Sequence, residues 1–141
     1  MKSLANQGDG GPIKNLVLLA EDNEATAELT QKMLELFGFR VSVAKNGFEA
    51  VAKAIAELPD LIVMDIHMPV MSGLQAAAEI RKDPKTKSIP ILAATAKAMP
   101  GDEERCLASG CNDYIAKPYT HTQLGASVKK LLSKPLAERT E

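Results

Sequence analysis

The sequence predicts an α/β fold, a (βα)5 doubly wound parallel sheet, from a chain of 141 residues. Two observations carry that prediction. Short apolar runs alternate with amphipathic segments that open on helix-capping residues, from Leu16 to Leu132. One of those runs, "LIVMD" over Leu61–Asp65, is apolar at four positions, as a strand covered on both faces requires. Alternating units of this kind connect by right-handed crossovers, which put helices on both faces of the sheet.

The elements follow in order. Leu16–Ala20 reads as the first strand. Asn23 caps a helix whose expected core face is Ala25, Leu29, Met33 and Leu36, with Gly38 as its stop. Arg40–Ala44 alternates, Val41 and Val43 against Ser42, in the manner of an edge strand. Asn46 and Glu49 have capping-box spacing ahead of Ala50, Val51, Ala54 and Ile55, and Pro59 marks the end. Leu61–Asp65 is the third strand. Ser72 and Gln75 repeat the capping box before Leu74, Ala77 and Ile80. Ile89–Thr95 is expected as the fourth strand, Pro100–Ser109 as a short helix, and Asn112–Lys117 as the fifth strand. Thr120 and Gln123 cap a last helix carrying Leu124, Val128, Leu131 and Leu132.

Composition narrows the class. A hydrophobic content of 45% suffices for one core, and a net charge of −1 supplies no basic stripe for direct nucleic-acid binding. No apolar run spans a bilayer and the N-terminus lacks a signal-peptide core, so a cytoplasmic protein with no membrane contact is expected. Residues 1–13 are Gly-rich and polar and are expected to be a flexible leader. Residues 14–133 form the domain, and residues 134–141 a flexible tail. Cys106 and Cys111 are the only cysteines, and they read as buried or half-buried free thiols rather than a disulfide or zinc site.

Ligands of doubly wound sheets sit beyond the carboxyl ends of the strands. The residues delivered there form a pattern. Strand one is followed by Glu21-Asp22, strand three ends in Asp65, strand four in Thr95, and strand five in Lys117-Pro118. Each alone has a bland explanation as an acidic turn, a strand stop or a surface lysine. Together they describe a site. Three converging carboxylates repel unless a cation sits among them, and oxygen ligands alone suit a hard ion such as Mg²⁺. A lysine and a threonine hydroxyl beside a carboxylate nucleophile make a phosphoryl-transfer arrangement.

At these residues the chain resembles the receiver domain of two-component response regulators. The resemblance rests on "LLAEDN", "LIVMDIHMPVMSG", "ILAATA" and "DYIAKP" in that order, and runs from about Lys14 to Leu132. It implies the strand order 2-1-3-4-5 and a phosphoryl group accepted on Asp65 from a histidine kinase or histidine phosphotransfer protein. It implies that Glu21, Asp22, Asp65 and the backbone carbonyl of His67 hold Mg²⁺, directly or through water. Thr95 and Lys117 would contact the phosphoryl oxygens, and a cis Lys117–Pro118 bond would aim the lysine. Thr95 and Tyr114 would form the switch, with output through a protein contact on the face of helix 4, strand 5 and helix 5. His67 and Lys97 would flank the path of attacking water. The His67 ring is expected to face solvent, and Met64, Met68 and Met71 to be packing and loop residues.

Two rival readings are weaker. An aspartyl-phosphate phosphatase of the haloacid dehalogenase type wants a second Asp two residues after the nucleophile, where His67 stands. A nucleotide or flavin module wants a Gly- or hydroxyl-rich loop after strand one, where Glu21-Asp22 repel phosphate. Within the receiver family, a free-standing regulator is favoured because the receiver fills the chain. A receiver segment of a hybrid histidine kinase is the alternative, on the likeness of "AKAMPGDEERCLASGCNDYIAKP" to such receivers and to regulators of the DivK type.

Overall fold

A computed structural model describes residues 15–96 and 100–133. The expected leader, the expected tail, and Lys97 with Ala98 lie outside the described residues. Ten elements alternate: β1 Leu16–Ala20, α1 Glu24–Leu36, β2 Arg40–Ala44, α2 Gly47–Glu57, β3 Leu61–Asp65, α3 Gly73–Lys82, β4 Ile91–Thr95, α4 Asp102–Ala108, β5 Asp113–Ala116 and α5 His121–Leu132. All four strand pairings are parallel and the order is β2-β1-β3-β4-β5. The predicted architecture is the observed one.

Period-two alternation divides the sheet between two cores. Leu18, Ala20, Ile62, Met64, Ile91 and Ala93 pack with α2, α3 and Cys106 of α4 on one face. Val17, Leu19, Leu61, Val63, Leu92, Ala94 and Ile115 pack with α1 and α5 on the other. Burying one such large aliphatic side chain contributes roughly 1.5–3 kcal/mol. β1, β3 and β4 carry most of them, so the centre of the sheet is its most deeply buried part.

Local chemistry sets the helix ends. The Asn23 side chain accepts from Thr26 N–H at 2.9 Å. Ser72/Gln75 and Thr120/Gln123 form complete capping boxes. At α2 the Asn46 side chain accepts from Glu49 N–H, but the Glu49 carboxylate takes the N–H of Lys45 rather than that of Asn46. That box is half formed. Gly38, in the left-handed region at φ 92°, follows the end of α1 as expected.

Four expectations need correction. On α1 the buried residues are Ala27, Thr30 and Leu34, and of the predicted stripe only Met33 packs against the core, half-buried. Leu29 is 57% exposed and Leu36 80%, while Ala25 also lies outside. Hydrophobicity favours the leucines, but Thr30 can be buried because its hydroxyl finds a partner in Tyr119 at 2.9 Å. Strand β4 begins at Ile91, not Ile89, although the Pro90 carbonyl already accepts from Ile62 N–H. Helix α4 starts at Asp102 because Gly101, at φ 91°, takes the cap position. Strand β5 is also shorter by one residue at each end.

Asn112 leaves the strand for another task. Its Oδ1 accepts from Ile91 N–H at 2.7 Å and from Arg81 Nη2 at 2.8 Å. Arg81 also donates Nε to the Gly110 carbonyl at 2.8 Å, so the end of α3 holds the α4–β5 turn.

Candidate functional site

The register of the strands assembles the site. Ala20 lies opposite Met64, so Glu21 and Asp65 are the next residues on neighbouring strands. Asp65 pairs with Ala94, which places Thr95 one step further. Thr95 pairs with Ala116, which places Lys117 one step beyond that. Four residues from four strands thus meet at one edge. Strand order reverses between β1 and β3, leaving the crevice in which such sheets bind ligands.

Glu21, Asp22 and Asp65 each offer a carboxylate oxygen, and these oxygens lie within 4.8 Å of one another. Glu21 and Asp65 are buried, and Asp22 is exposed. Lys117 Nζ donates to Glu21 Oε1 at 2.6 Å and lies 3.5 Å from Asp65 Oδ2. Burial pushes the Glu21 carboxyl above its ordinary value; the Lys117 hydrogen bond opposes this and the Asp65 charge adds to it. For Lys117, burial works to lower the value, yet the Glu21 bond and the Asp65 charge outweigh it and the ammonium is held higher than usual. A single lysine does not neutralise three carboxylates. The donor set, all hard oxygen with one exposed acid, fits a divalent cation that keeps part of its water.

The loop after β3 is built to hold Asp65 still. His67 N–H donates to Asp65 Oδ1 at 3.0 Å, and the His67 residue is exposed as expected. Gly73 N–H donates to the Ile66 carbonyl at 3.1 Å. A Cβ at Gly73 would sit 2.3 Å from the Asp65 carbonyl oxygen, so only glycine permits this approach. Met64 and Met68 are buried, and Met71 packs against the core. The Lys117–Pro118 bond is cis.

Of the residues singled out for the site, Lys97 lies outside the described residues. Thr95 is fully buried at the end of β4, and Lys117 N–H donates to its carbonyl at 2.7 Å. Tyr114, opposite Ala93, is half-buried against the core on the α2–α3 side. Sequence reasoning missed Tyr119, whose phenol is pushed above its ordinary value chiefly by burial and whose hydroxyl meets Thr30. The one sequence signal was a hydroxyl residue, Thr30, at helical spacing from Ala27 and Leu34.

A doubly wound sheet of order 2-1-3-4-5, with acids after β1, at the end of β3 and a lysine after β5, defines a class of signalling domain. The family model of the response regulator receiver domain matches residues 17–129. The chain belongs to that family. It is 39% identical over 116 residues to the polar-differentiation response regulator DivK of Brucella anthropi, covering 82% of this chain and 94% of that protein. It is 50% identical over 105 residues to hybrid signal transduction histidine kinase G of Dictyostelium discoideum, covering 72% of this chain but 3% of the kinase. Among solved structures, the receiver domain of a sensor histidine kinase from Pseudomonas aeruginosa superposes with a TM-score of 0.81 at 36% identity, covering 86% of this chain and all of that one. That structure holds a magnesium ion in its active-site cleft. The chemotaxis protein CheY4 of Vibrio cholerae superposes with a TM-score of 0.80 at 28% identity, covering 84% of this chain and 98% of that one. Two-component phosphotransfer signalling is therefore the work of this domain. Among the described residues, no helix is long and apolar enough to cross a membrane.

Proposed function

We propose that Asp65 is the phosphoacceptor, taking its phosphoryl group from a phosphohistidine of a histidine kinase or a histidine phosphotransfer protein. A carboxylate oxygen of Asp65 bonds to phosphorus as the P–N bond breaks, and the electron pair returns to the imidazole, which takes up a proton. Glu21, Asp22, Asp65 and the carbonyl of His67 hold Mg²⁺, which lowers the repulsion between the carboxylates and the incoming anion. Lys117 supplies a point charge to the phosphoryl oxygens and Thr95 a hydroxyl donor. The domain thus assists its own phosphorylation, and its later hydrolysis by water. The observation that carries this reading is the meeting of Glu21, Asp22, Asp65 and Lys117 at one sheet edge. The magnesium ion in the related receiver supports the choice of metal.

Output runs through Thr95 and Tyr114 to a protein contact on the face of α4, β5 and α5, about residues 98–131. Drawing the Thr95 hydroxyl to the phosphoryl group opens space behind it, and Tyr114 turns further inward to fill it. The phosphoryl group shifts this equilibrium only by its differential interaction with the two states.

Incubation with acetyl phosphate and Mg²⁺ tests the acceptor. The native chain should gain one phosphoryl group labile to hydroxylamine, and Asp65→Asn should gain none. Equal labelling of that variant would overturn the assignment. A second reading, a receiver segment within a hybrid histidine kinase, is favoured by the 50% identity to such a kinase. The mass of the native protein in extracts of its source cells separates a free regulator from a segment.

A further inference from the structure

We infer that Tyr119 is a positioning residue for Lys117, acting through a hydroxyl–hydroxyl bond to Thr30 that ties the segment after β5 to α1. The inference rests on the proposed role of Lys117 at the phosphoryl group.

Lys117 has an anchor on its upstream side. Its N–H donates to the Thr95 carbonyl at 2.7 Å, which carries the β4–β5 ladder one residue past the end of β5. On its downstream side the next residue is Pro118, which has no N–H to offer. The first group able to hold the chain there is Tyr119. Its ring packs against the core shared by α1 and α5, and its hydroxyl lies 2.9 Å from Thr30 Oγ1, 89 positions away.

Thr30 sits at the middle of the buried face of α1, between Ala27 and Leu34, and is 2% exposed. A threonine is a mediocre helix former, and a buried hydroxyl is costly without a partner. Valine has nearly the same shape and needs no partner. Packing alone therefore gives no reason for a hydroxyl here, whereas a bond across to Tyr119 does.

The geometry gives this bond leverage on the site. Helix α1 begins just after Glu21 and Asp22, so one end of it adjoins the acidic wall. Its middle holds Tyr119, two residues from the lysine that reaches back to Glu21 and Asp65. A groove of about 370 Å³, whose lining includes Thr30, Lys117 and Tyr119, marks the junction of α1 with the segment after β5.

The test uses the full chain with acetyl phosphate as donor, comparing Tyr119→Phe, Thr30→Val, Thr30→Ser, the Phe/Val double variant and Lys117→Gln. Tyr119→Phe and Thr30→Val should each slow labelling of Asp65 by about fivefold, the rate equivalent of one hydrogen bond of ordinary net worth. The double variant should be no slower than the slower single one, and Thr30→Ser should restore the native rate. Mg²⁺ affinity, followed by amide shifts near Asp22, should stay within about twofold of native, which a general loosening of the domain would not allow. Tyr119→Phe removes one oxygen and keeps the packing, so it decides the matter should Thr30→Val fold poorly. Native labelling rates in both single variants, with Lys117→Gln slow, would overturn the inference and leave the role of Lys117 standing. A parallel loss of Mg²⁺ affinity and rate would also overturn it. Native labelling in Lys117→Gln would instead remove the reading on which it rests.

Discussion

Lys117 Nζ lies 2.6 Å from Oε1 of Glu21, a residue delivered by the opposite side of the sheet's switch point. The same ammonium stands 3.5 Å from Asp65, so its shorter contact is with the acid beside the acceptor rather than with the acceptor itself. Glu21 is buried and also takes the N–H of Asn23 at 3.2 Å. Of the three acids, Asp22 is the exposed one.

Metal affinity is accordingly expected to depend on Asp22 more than on Glu21. Adding Mg²⁺ to a chelated sample should shift amide resonances of residues 20–23, 65–68 and 117. Asp22→Ala should abolish the response and slow labelling of Asp65, while Glu21→Gln should weaken it less. Undiminished affinity in Asp22→Ala would contradict the metal site.

The lifetime of the phosphorylated form should respond to His67. The residue is exposed two positions beyond Asp65, and its N–H already holds Asp65 Oδ1. Replacing His67 by Ala leaves that backbone bond in place and removes only the ring. The half-life should then change several-fold, corresponding to roughly 1 kcal/mol of barrier. An unchanged half-life would show that the ring does not border the path of water.

Gly73→Ala is expected to destabilise the domain although alanine is the better helix former by about 1 kcal/mol. The new Cβ would stand 2.3 Å from the Asp65 carbonyl and 2.7 Å from Cα of Ile66, both backbone atoms of β3 or its first loop residue. Overpacking of this kind costs about 1–3 kcal/mol and moves the strand end that carries the acceptor. Urea unfolding should show the loss, and Asp65 labelling should slow with it. A variant as stable as native would mean the loop can give way.

The thiols should be inert in the folded chain. The Cys111 thiol is pushed up to about 12, first by burial and then by Cys106, with Arg81 opposing. At pH 8 the Cys111 thiol therefore stays protonated, and Cys106 is fully buried. Iodoacetamide should modify both only after unfolding. Unfolded, the Cys111 thiol ionises near its ordinary 9.0, so the unfolded state loses its proton first. This contribution to stability is fully present below pH 9 and declines as pH rises toward 12. Cys111→Ala should lessen the fall in stability measured across that window; an identical fall in both proteins would refute the burial effect.

How much is legible in the sequence depends on whether one strand or several must be consulted. Helix caps act within three residues, which is why Asn23, Ser72 and Thr120 can be recognised from their immediate neighbours in the chain. An apolar run such as Leu61–Met64 names its own burial, and the order of polar groups at the strand ends names Glu21, Asp22, Asp65, Thr95 and Lys117 together. The phase of α1 is not legible in this way. Rotating the helix by one residue exchanges Leu29 for Thr30, and hydrophobicity alone prefers the leucine. Only the arrival of the Tyr119 hydroxyl, from the other end of the chain, makes Thr30 a residue that can be buried. The contact of Lys117 with Glu21 and the clamp of Arg81 on Gly110 and Asn112 are of the same kind. Composition and short-range pattern decide which residues are at the edge, because those signals are written within a few positions. Which of them touch is decided by parallel register and helix docking, since these bring together groups that the chain itself keeps far apart.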